Sequence, residues 1–368
     1  MSADSRGLTD ILARWSLADA DVRPLGRGLI NETLAVEGSR PGEGAGRWVL
    51  QRVNPIFDAR IHENIAAVTG HLERKGLRTP ALVPTDAGAW WLEVDPGEGG
   101  AGTWRLQTAV SGVSVDALDD PAQARAAGRF VGRWHAAVAD LEHDFVALRL
   151  GVHDTPRHLG RLREAVDRPE HAQHRLYEAV AALAEGLFAA AESLPPLPPS
   201  LPRRVAHGDL KINNLLFASE AGPGRLEPVA LIDLDTLAPM HLGHELGDAW
   251  RSWTNRAGED QAQAQLDLEL FSESFRGWQA GWVEGGGEAL GADERQALLV
   301  GPEWISLELA CRFAADALFE DYFGWDRERF AGRGEHNLHR ARGQWSLHEA
   351  LAGARGARSA VIDEEARG

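Results

Sequence analysis

The sequence predicts an α+β protein in two parts: residues 1–110 mainly antiparallel strands with one inserted helix, and residues 111–368 mainly helices. Two observations predict this. The first third alternates apolar and polar residues with a period of two, interrupted by Gly- and Pro-rich turns. After Gly112 the apolar residues recur at helical spacing instead.

In chain order, Thr9–Trp15 reads as a short helix with Thr9 as its N-cap. Strands Val22–Gly26 and Glu32–Val36 flank the segment GRGLIN, and the turn Ser39–Gly46 leads into the strand Trp48–Val53. Residues Ile61–Lys75 place Ile61, Ile65, Val68 and Leu72 on one helical face, and Gly76 ends that helix. Strands Trp90–Val94 and Trp104–Val110 follow, joined through PGEGGAG, and Thr108–Gly112 reads as a hinge. Helices are expected over Ala122–Leu141, Leu159–Val166 and Arg175–Leu194. The segment Leu194–Pro202, LPPLPPSLP, has to be an extended connector. Glu245–Ala350 reads as mostly helical, and the polar tail from Gly356 as loose.

Composition excludes several function classes. The net charge of −17 argues against nucleic acid and against an anionic membrane surface as partners. No apolar run reaches the ~18 residues of a membrane span, and the N-terminus does not read as a signal peptide. Cys311 is the single cysteine, so no intramolecular disulfide is possible and a reducing cytoplasm is the simplest compartment. Neither nucleic acid nor a membrane is therefore expected as a partner, and the small-molecule substrate expected instead comes from the motifs that follow.

The strongest chemical signal is Val205–Phe217, VAHGDLKINNLLF. It holds His207, Asp209 and Asn214 in the spacing H-x-D-x-x-x-x-N, which is the catalytic-loop pattern of kinases. Phosphoryl transfer needs a carboxylate beside the attacking hydroxyl, the role of Asp209. It also needs a hard oxygen for Mg2+, the role of Asn214. His207 is read as structural. The second signal is PVALIDLDT, Pro228–Thr236, in which a buried strand ends at Asp233, where a second metal ligand belongs. Asp235 either helps hold metal or substrate or caps the following turn.

Two weaker signals lie in the first third. Gly26 and Gly28 sit between two strands, where a phosphate-covering loop belongs, with Asn31 in place of a third glycine. Val49–Arg52, VLQR, resembles the V-A-I-K of a kinase strand, with Arg52 at the lysine position. Alternation puts Leu50 and Arg52 on one face, so that Leu50 touches adenine, Arg52 reaches the phosphates and Glu63 pairs with Arg52. The histidines near His241 and His336 give no zinc pattern and read as structural.

These residues resemble the aminoglycoside phosphotransferase and choline kinase superfamily, a branch of the protein-kinase-like fold. Within it the chain looks most like the N-acetylhexosamine 1-kinases. The stretches that carry the resemblance include GRGLINETLAV, WVLQRVNPIF, HDTPRHL, HGDLKINNLLF, IDLDT, GDAWR and HNLHRARGQ. The resemblance implies a bilobal fold with an ATP cleft, Mg2+ as cofactor, Asp209 as base, Asn214 and Asp233 as metal ligands, and Asp248 as a brace under the catalytic loop. It also implies Asn31, Lys211, Arg312 and Asp316 as contacts to sugar hydroxyls, although Arg312 and Asp316 also have the spacing of a helix-surface ion pair. The reaction implied is transfer of the ATP γ-phosphoryl to the anomeric hydroxyl of a hexose or N-acetylhexosamine. The alternatives are a kinase of an aminoglycoside, an amino alcohol or another sugar, and a non-catalytic nucleotide-binding protein of the same fold.

Overall fold

The computed structural model describes residues 5–25, 31–97, 99–118, 120–149, 151–198, 200–218 and 227–365. The chain divides into two compact units. One comprises residues 1–112, 140–149 and 230–237, and the other residues 113–139, 150–229 and 238–368.

The first unit is built on a sheet. It contains α1 (Ser5–Ala13), β1 (Asp21–Pro24), β2 (Glu32–Arg40), β3 (Gly44–Val53), α2 (Ile61–Arg74), β4 (Leu82–Val83), β5 (Leu92–Val94) and β6 (Gly102–Thr108). Among the described residues, six strands form one antiparallel sheet in the order β1-β2-β3-β6-β4, with β5 also on β6. The register sets Leu34 opposite Leu50 and Leu50 opposite Leu106. That row and its neighbours Val36, Trp48 and Trp104 pack against Ile11, Leu12 and Trp15 to form the core of one sheet face. Trp15 is tied down through its indole N–H, which donates to the Val83 carbonyl at 2.8 Å. The opposite face is polar and carries Gln51 and Arg105. The α2 helix buries Ile61, Ile65, Val68 and Leu72, as its periodicity predicts, and the chain leaves it through Gly76 at φ 76°.

The second unit is mainly helical. It begins with β7 (Val113–Ser114), α3 (Pro121–Val138), α4 (Thr155–Asp167) and α5 (Tyr177–Ser193). The short strands β8 (Arg204–Ala206), β9 (Leu215–Phe217), β10 (Pro228–Leu231, which runs on into the first unit) and β11 (Ala238–Met240) follow. Helices α6 (Leu242–Trp253), α7 (Leu268–Glu284), α8 (Ala292–Phe319), α9 (Arg333–Gly353) and α10 (Arg355–Glu365) complete it. Asp120 caps α3 by accepting the Gln123 N–H, with Pro121 at the first helical position. The core of α4, α5, α8 and α9 is formed by residues such as Leu162, Val180, Leu187, Leu307, Phe313 and Leu338.

Helices α3 and α7 approach backbone to backbone. A Cβ added at Gly132 would lie 2.1 Å from the Trp278 carbonyl oxygen, and one at Gly281 2.0 Å from that of Arg129. The spacing Gly128-x-x-x-Gly132 on α3 and Gly277-x-x-x-Gly281 on α7 makes this approach possible.

The tail corrects one expectation. Residues 355–365 are not loose but form α10, which buries Arg358 and Ile362. Arg358 donates to Glu303 and to the carbonyls of Leu299 and Leu351. The anchor is a charged side chain, which a polar composition conceals. Among the described residues, no helix is long and apolar enough to cross a membrane.

Candidate active site

The H-x-D-x-x-x-x-N segment lies between β8 and β9. β8 pairs antiparallel with β11, Ala206 opposite Ala238, and β9 with β7, Phe217 opposite Val113. The loop turns at Gly208, whose φ of 83° suits glycine. Its backbone is held from α6. Glu245 Oε1 accepts the His207 N–H at 2.8 Å, and Oε2 accepts the Gly208 N–H at 2.9 Å. Ser252 Oγ accepts the Ile212 N–H at 3.1 Å, and the Trp253 indole donates to the Leu210 carbonyl at 2.8 Å.

Glu245 is itself fixed. The Trp278 indole N–H donates to His135 Nδ1 at 3.0 Å, which makes Nδ1 an acceptor and leaves Nε2–H to donate to Glu245 Oε1 at 3.1 Å. All three side chains are buried. Burial pushes the Glu245 carboxyl up, but the His135 hydrogen bond and the backbone donors outweigh it, and the group lies below its ordinary value.

Within the loop, Lys211 Nζ donates to Asp209 Oδ2 at 2.8 Å. The Asn214 amide Nδ2 donates to the Asp209 carbonyl at 2.8 Å and to Oδ2 at 3.1 Å. One carboxylate oxygen of Asp209, Oδ2, is therefore clamped by both groups. Burial raises the Asp209 carboxyl, yet the Lys211 charge and hydrogen bond bring it below the usual carboxylate value, so it is ionised at neutral pH. Because Asn214 spends its N–H groups on Asp209, its carbonyl oxygen remains as a hard neutral donor.

Asp248 corrects its expected role. Its Oδ1 accepts Nε and Nη2 of Arg251, at 3.1 and 2.8 Å, rather than a group of the catalytic loop. The brace is Glu245, three residues earlier. Burial raises the Asp248 carboxyl, and the neighbouring Asp209 charge adds to this against the pull of Arg251.

The IDLDT segment belongs to the first unit. β10 ends at Leu231, and Asp233 follows in the left-handed region, at φ 64° and ψ 59°, starting a single tight turn over Leu234–Thr236. Asp235 in that turn is buried. Arg105 Nη1 donates to its Oδ1, and Asn31 Nδ2 donates to Oδ2 at 2.7 Å. Asn31 Oδ1 in turn accepts the Asn54 N–H at 2.9 Å. Next to this network His62 stacks on Trp91 with ring centroids 5.5 Å apart, and burial and the Arg105 charge hold its imidazole at about 4.

Several sequence expectations change here. Asp235 and Asn31, expected at the substrate, spend these hydrogen bonds inside the protein, on each other, on Arg105 and on the Asn54 N–H. Leu50 is fully buried in the α1 core and cannot touch adenine. Arg52 shares that face and lies 3.8 Å from Glu32, the residue opposite it in the register, while Glu63 makes no ion pair with it. The buried cation of the sheet is Arg105, whose Nε and Nη2 donate to Gln51 Oε1 at 2.9 and 2.8 Å. The alternation Trp104-Arg105-Leu106-Gln107 was its sequence signal. Asp316 caps the loop after α8. It accepts the backbone N–H groups of Asp321, Tyr322 and Phe323 and the Asn337 amide, which leaves nothing for a sugar and forms no pair with Arg312. Arg312 is half-buried, 5.5 Å from the Phe323 ring centroid. Gly26 and Gly28 lie outside the described residues. Among the described residues, no cluster of three or more His, Cys, Asp or Glu groups is placed to hold a metal. The hard oxygens of Asp209, Asn214 and Asp233 are nevertheless the donor type that Mg2+ prefers.

The antiparallel-sheet unit and the helical unit are those of a protein-kinase-like fold. Solved structures of several kinases share it. A microcompartment-associated aminopropanol kinase matches with a TM-score of 0.62 at 19% identity, over 96% of this chain and 99% of that one. An amicoumacin kinase bound to AMP-PNP and Ca2+ matches with a TM-score of 0.60 at 13% identity, over 94% and 93% of the two chains. An aminoglycoside phosphotransferase from Alicyclobacillus acidocaldarius matches with a TM-score of 0.55 at 16% identity, over 97% and 96%. The chain belongs to the phosphotransferase enzyme family, whose sequence pattern matches residues 21–281.

Proposed function

We propose that the protein is an ATP- and Mg2+-dependent small-molecule kinase acting on the anomeric hydroxyl of a hexose or N-acetylhexosamine. The observation that carries the kinase reading is the Asp209 carboxylate, ionised and clamped at Oδ2 by Lys211 and Asn214. ATP would supply the γ-phosphoryl group, and Mg2+ held with it would offset the charge of the phosphates. Asp209 Oδ1 orients the acceptor hydroxyl and takes its proton as the acceptor oxygen bonds to the γ-phosphorus and the bond from that phosphorus to the β,γ-bridging oxygen breaks, with ADP as the leaving group. Lys211 fixes the rotamer of that carboxylate. Asn214 and Asp233 are each assigned as a ligand of Mg2+. Lys211 and Arg312 remain the candidates for contact with acceptor hydroxyls.

The sugar acceptor rests on the likeness of HDTPRHL and HNLHRARGQ to the N-acetylhexosamine 1-kinases. Kinases of amino alcohols and aminoglycosides among the structural neighbours favour a second reading, a cationic acceptor. Buried Cys311, its thiol raised by burial, suits a reducing cytoplasm. ADP release from Mg·ATP, measured against hexoses, N-acetylhexosamines, aminoglycosides and amino alcohols, tests the acceptor. Turnover with an N-acetylhexosamine alone supports the first reading. Turnover with an amine-bearing acceptor alone replaces it with the second.

A further inference from the structure

Arg105 lies in the middle of β6 with its side chain 1% exposed, on the sheet face away from the α1 core. A buried guanidinium is costly unless its charge and its donors are matched. Here the charge is matched by Asp235, also 1% exposed, and two further donors go to Gln51 Oε1. Asn31 grips the other oxygen of Asp235. Two neutral amides thus orient one ion pair from both sides.

The pair is tied to the least comfortable backbone in the segment. Asp233 holds a left-handed conformation, which is uncommon for a residue other than glycine although aspartate enters it more readily than most. The next two residues constrain it: Leu234 is buried, and Asp235 is clamped on both carboxylate oxygens. Sheet packing gives no reason for a charge at Arg105, because the apolar core lies on the other face.

We propose that Arg105 is a positioning residue. Acting through Asp235, it holds the turn that presents the Asp233 carboxylate to a divalent cation. This rests on the assignment of Asp233 as a Mg2+ ligand. Arg105 touches neither metal nor acceptor in this account.

The test uses the full chain with Arg105→Gln, and with Arg105→Gln/Asp235→Asn, which leaves no uncompensated carboxylate if the single variant fails to fold. Thermal unfolding is followed without ligand, with AMP-PNP, and with AMP-PNP plus Mg2+, so that one reading involves no turnover. The Mg2+ concentration for half-maximal ADP release is measured alongside. The expected result is loss of the Mg2+-linked rise in the unfolding midpoint and a ~10–100-fold higher Mg2+ requirement, the usual effect of removing a partner of a metal ligand. A lowered ligand-free midpoint with a wild-type Mg2+ response, in whichever variant folds, would overturn the proposal by showing a purely structural pair. Asp209→Asn run beside them separates the two claims. No ADP release by wild type with any acceptor rejects the kinase reading, whereas wild-type turnover that is lost in Asp209→Asn, together with an unchanged Mg2+ response in Arg105→Gln, rejects only the role of Arg105.

Discussion

The catalytic loop and the IDLDT turn are held in opposite ways. The loop is fastened by its backbone: Glu245, Ser252 and Trp253 bind main-chain groups of residues 207–212, and none of them takes the Asp209 carboxylate. The turn is fastened by a side chain: Arg105 and Asn31 seize the Asp235 carboxylate, while the strained backbone lies two residues away at Asp233. The two acidic motifs thus hold their aspartates differently. Asp209 is bound by neighbours in its own loop, whereas Asp235 anchors its turn to residues far away in the sequence.

Breaking the loop side should have the larger effect on stability. Glu245→Ala orphans the buried N–H groups of His207 and Gly208 and the donor of His135, at about 1–3 kcal/mol each. The variant should unfold about 4 kcal/mol more easily in urea and lose turnover, while Arg105→Gln should act chiefly on the Mg2+ response. Equal Mg2+ sensitivity in both variants would erase the contrast.

A smaller effect is expected from pH, because His244 precedes Glu245 on α6. Burial first, then the charge of His153, holds the His244 imidazole at about 4, against 6.5 for the free group. Glu308, His241 and Arg203 are the other charges that act on it. Its folded value is depressed, so the unfolded chain binds the extra proton between those values. Stability should therefore fall as pH drops from 6.5 towards 4, by about 3 kcal/mol from this residue. Urea midpoints across that range should show a shallower slope in His244→Asn. An unchanged slope would mean that other groups set it.

Much of this was legible in the sequence. The alternation over Trp48–Val53 and the periodicity of Ile61–Leu72 are short-range patterns, and short-range patterns survive into structure. The spacing of Asp209 and Asn214 works the same way, since one loop carries both. What could not be read were partners far apart in sequence. Glu245 lies 37 and 38 residues from the N–H groups it binds, and Arg105 lies 130 from Asp235. The assignment of Leu50 failed because strand alternation says which residues share a face but not which face is buried. That was decided by α1, whose Ile11 and Leu12 need an apolar partner.

The most direct test of the central claim is a comparison of ADP release by wild type and Asp209→Asn, with Mg·ATP and a saturating acceptor. Turnover should fall by roughly 10²–10⁴, the range for loss of a general base, with an unchanged unfolding midpoint. Turnover within a few-fold of wild type would contradict that claim and remove Asp209 from the chemistry.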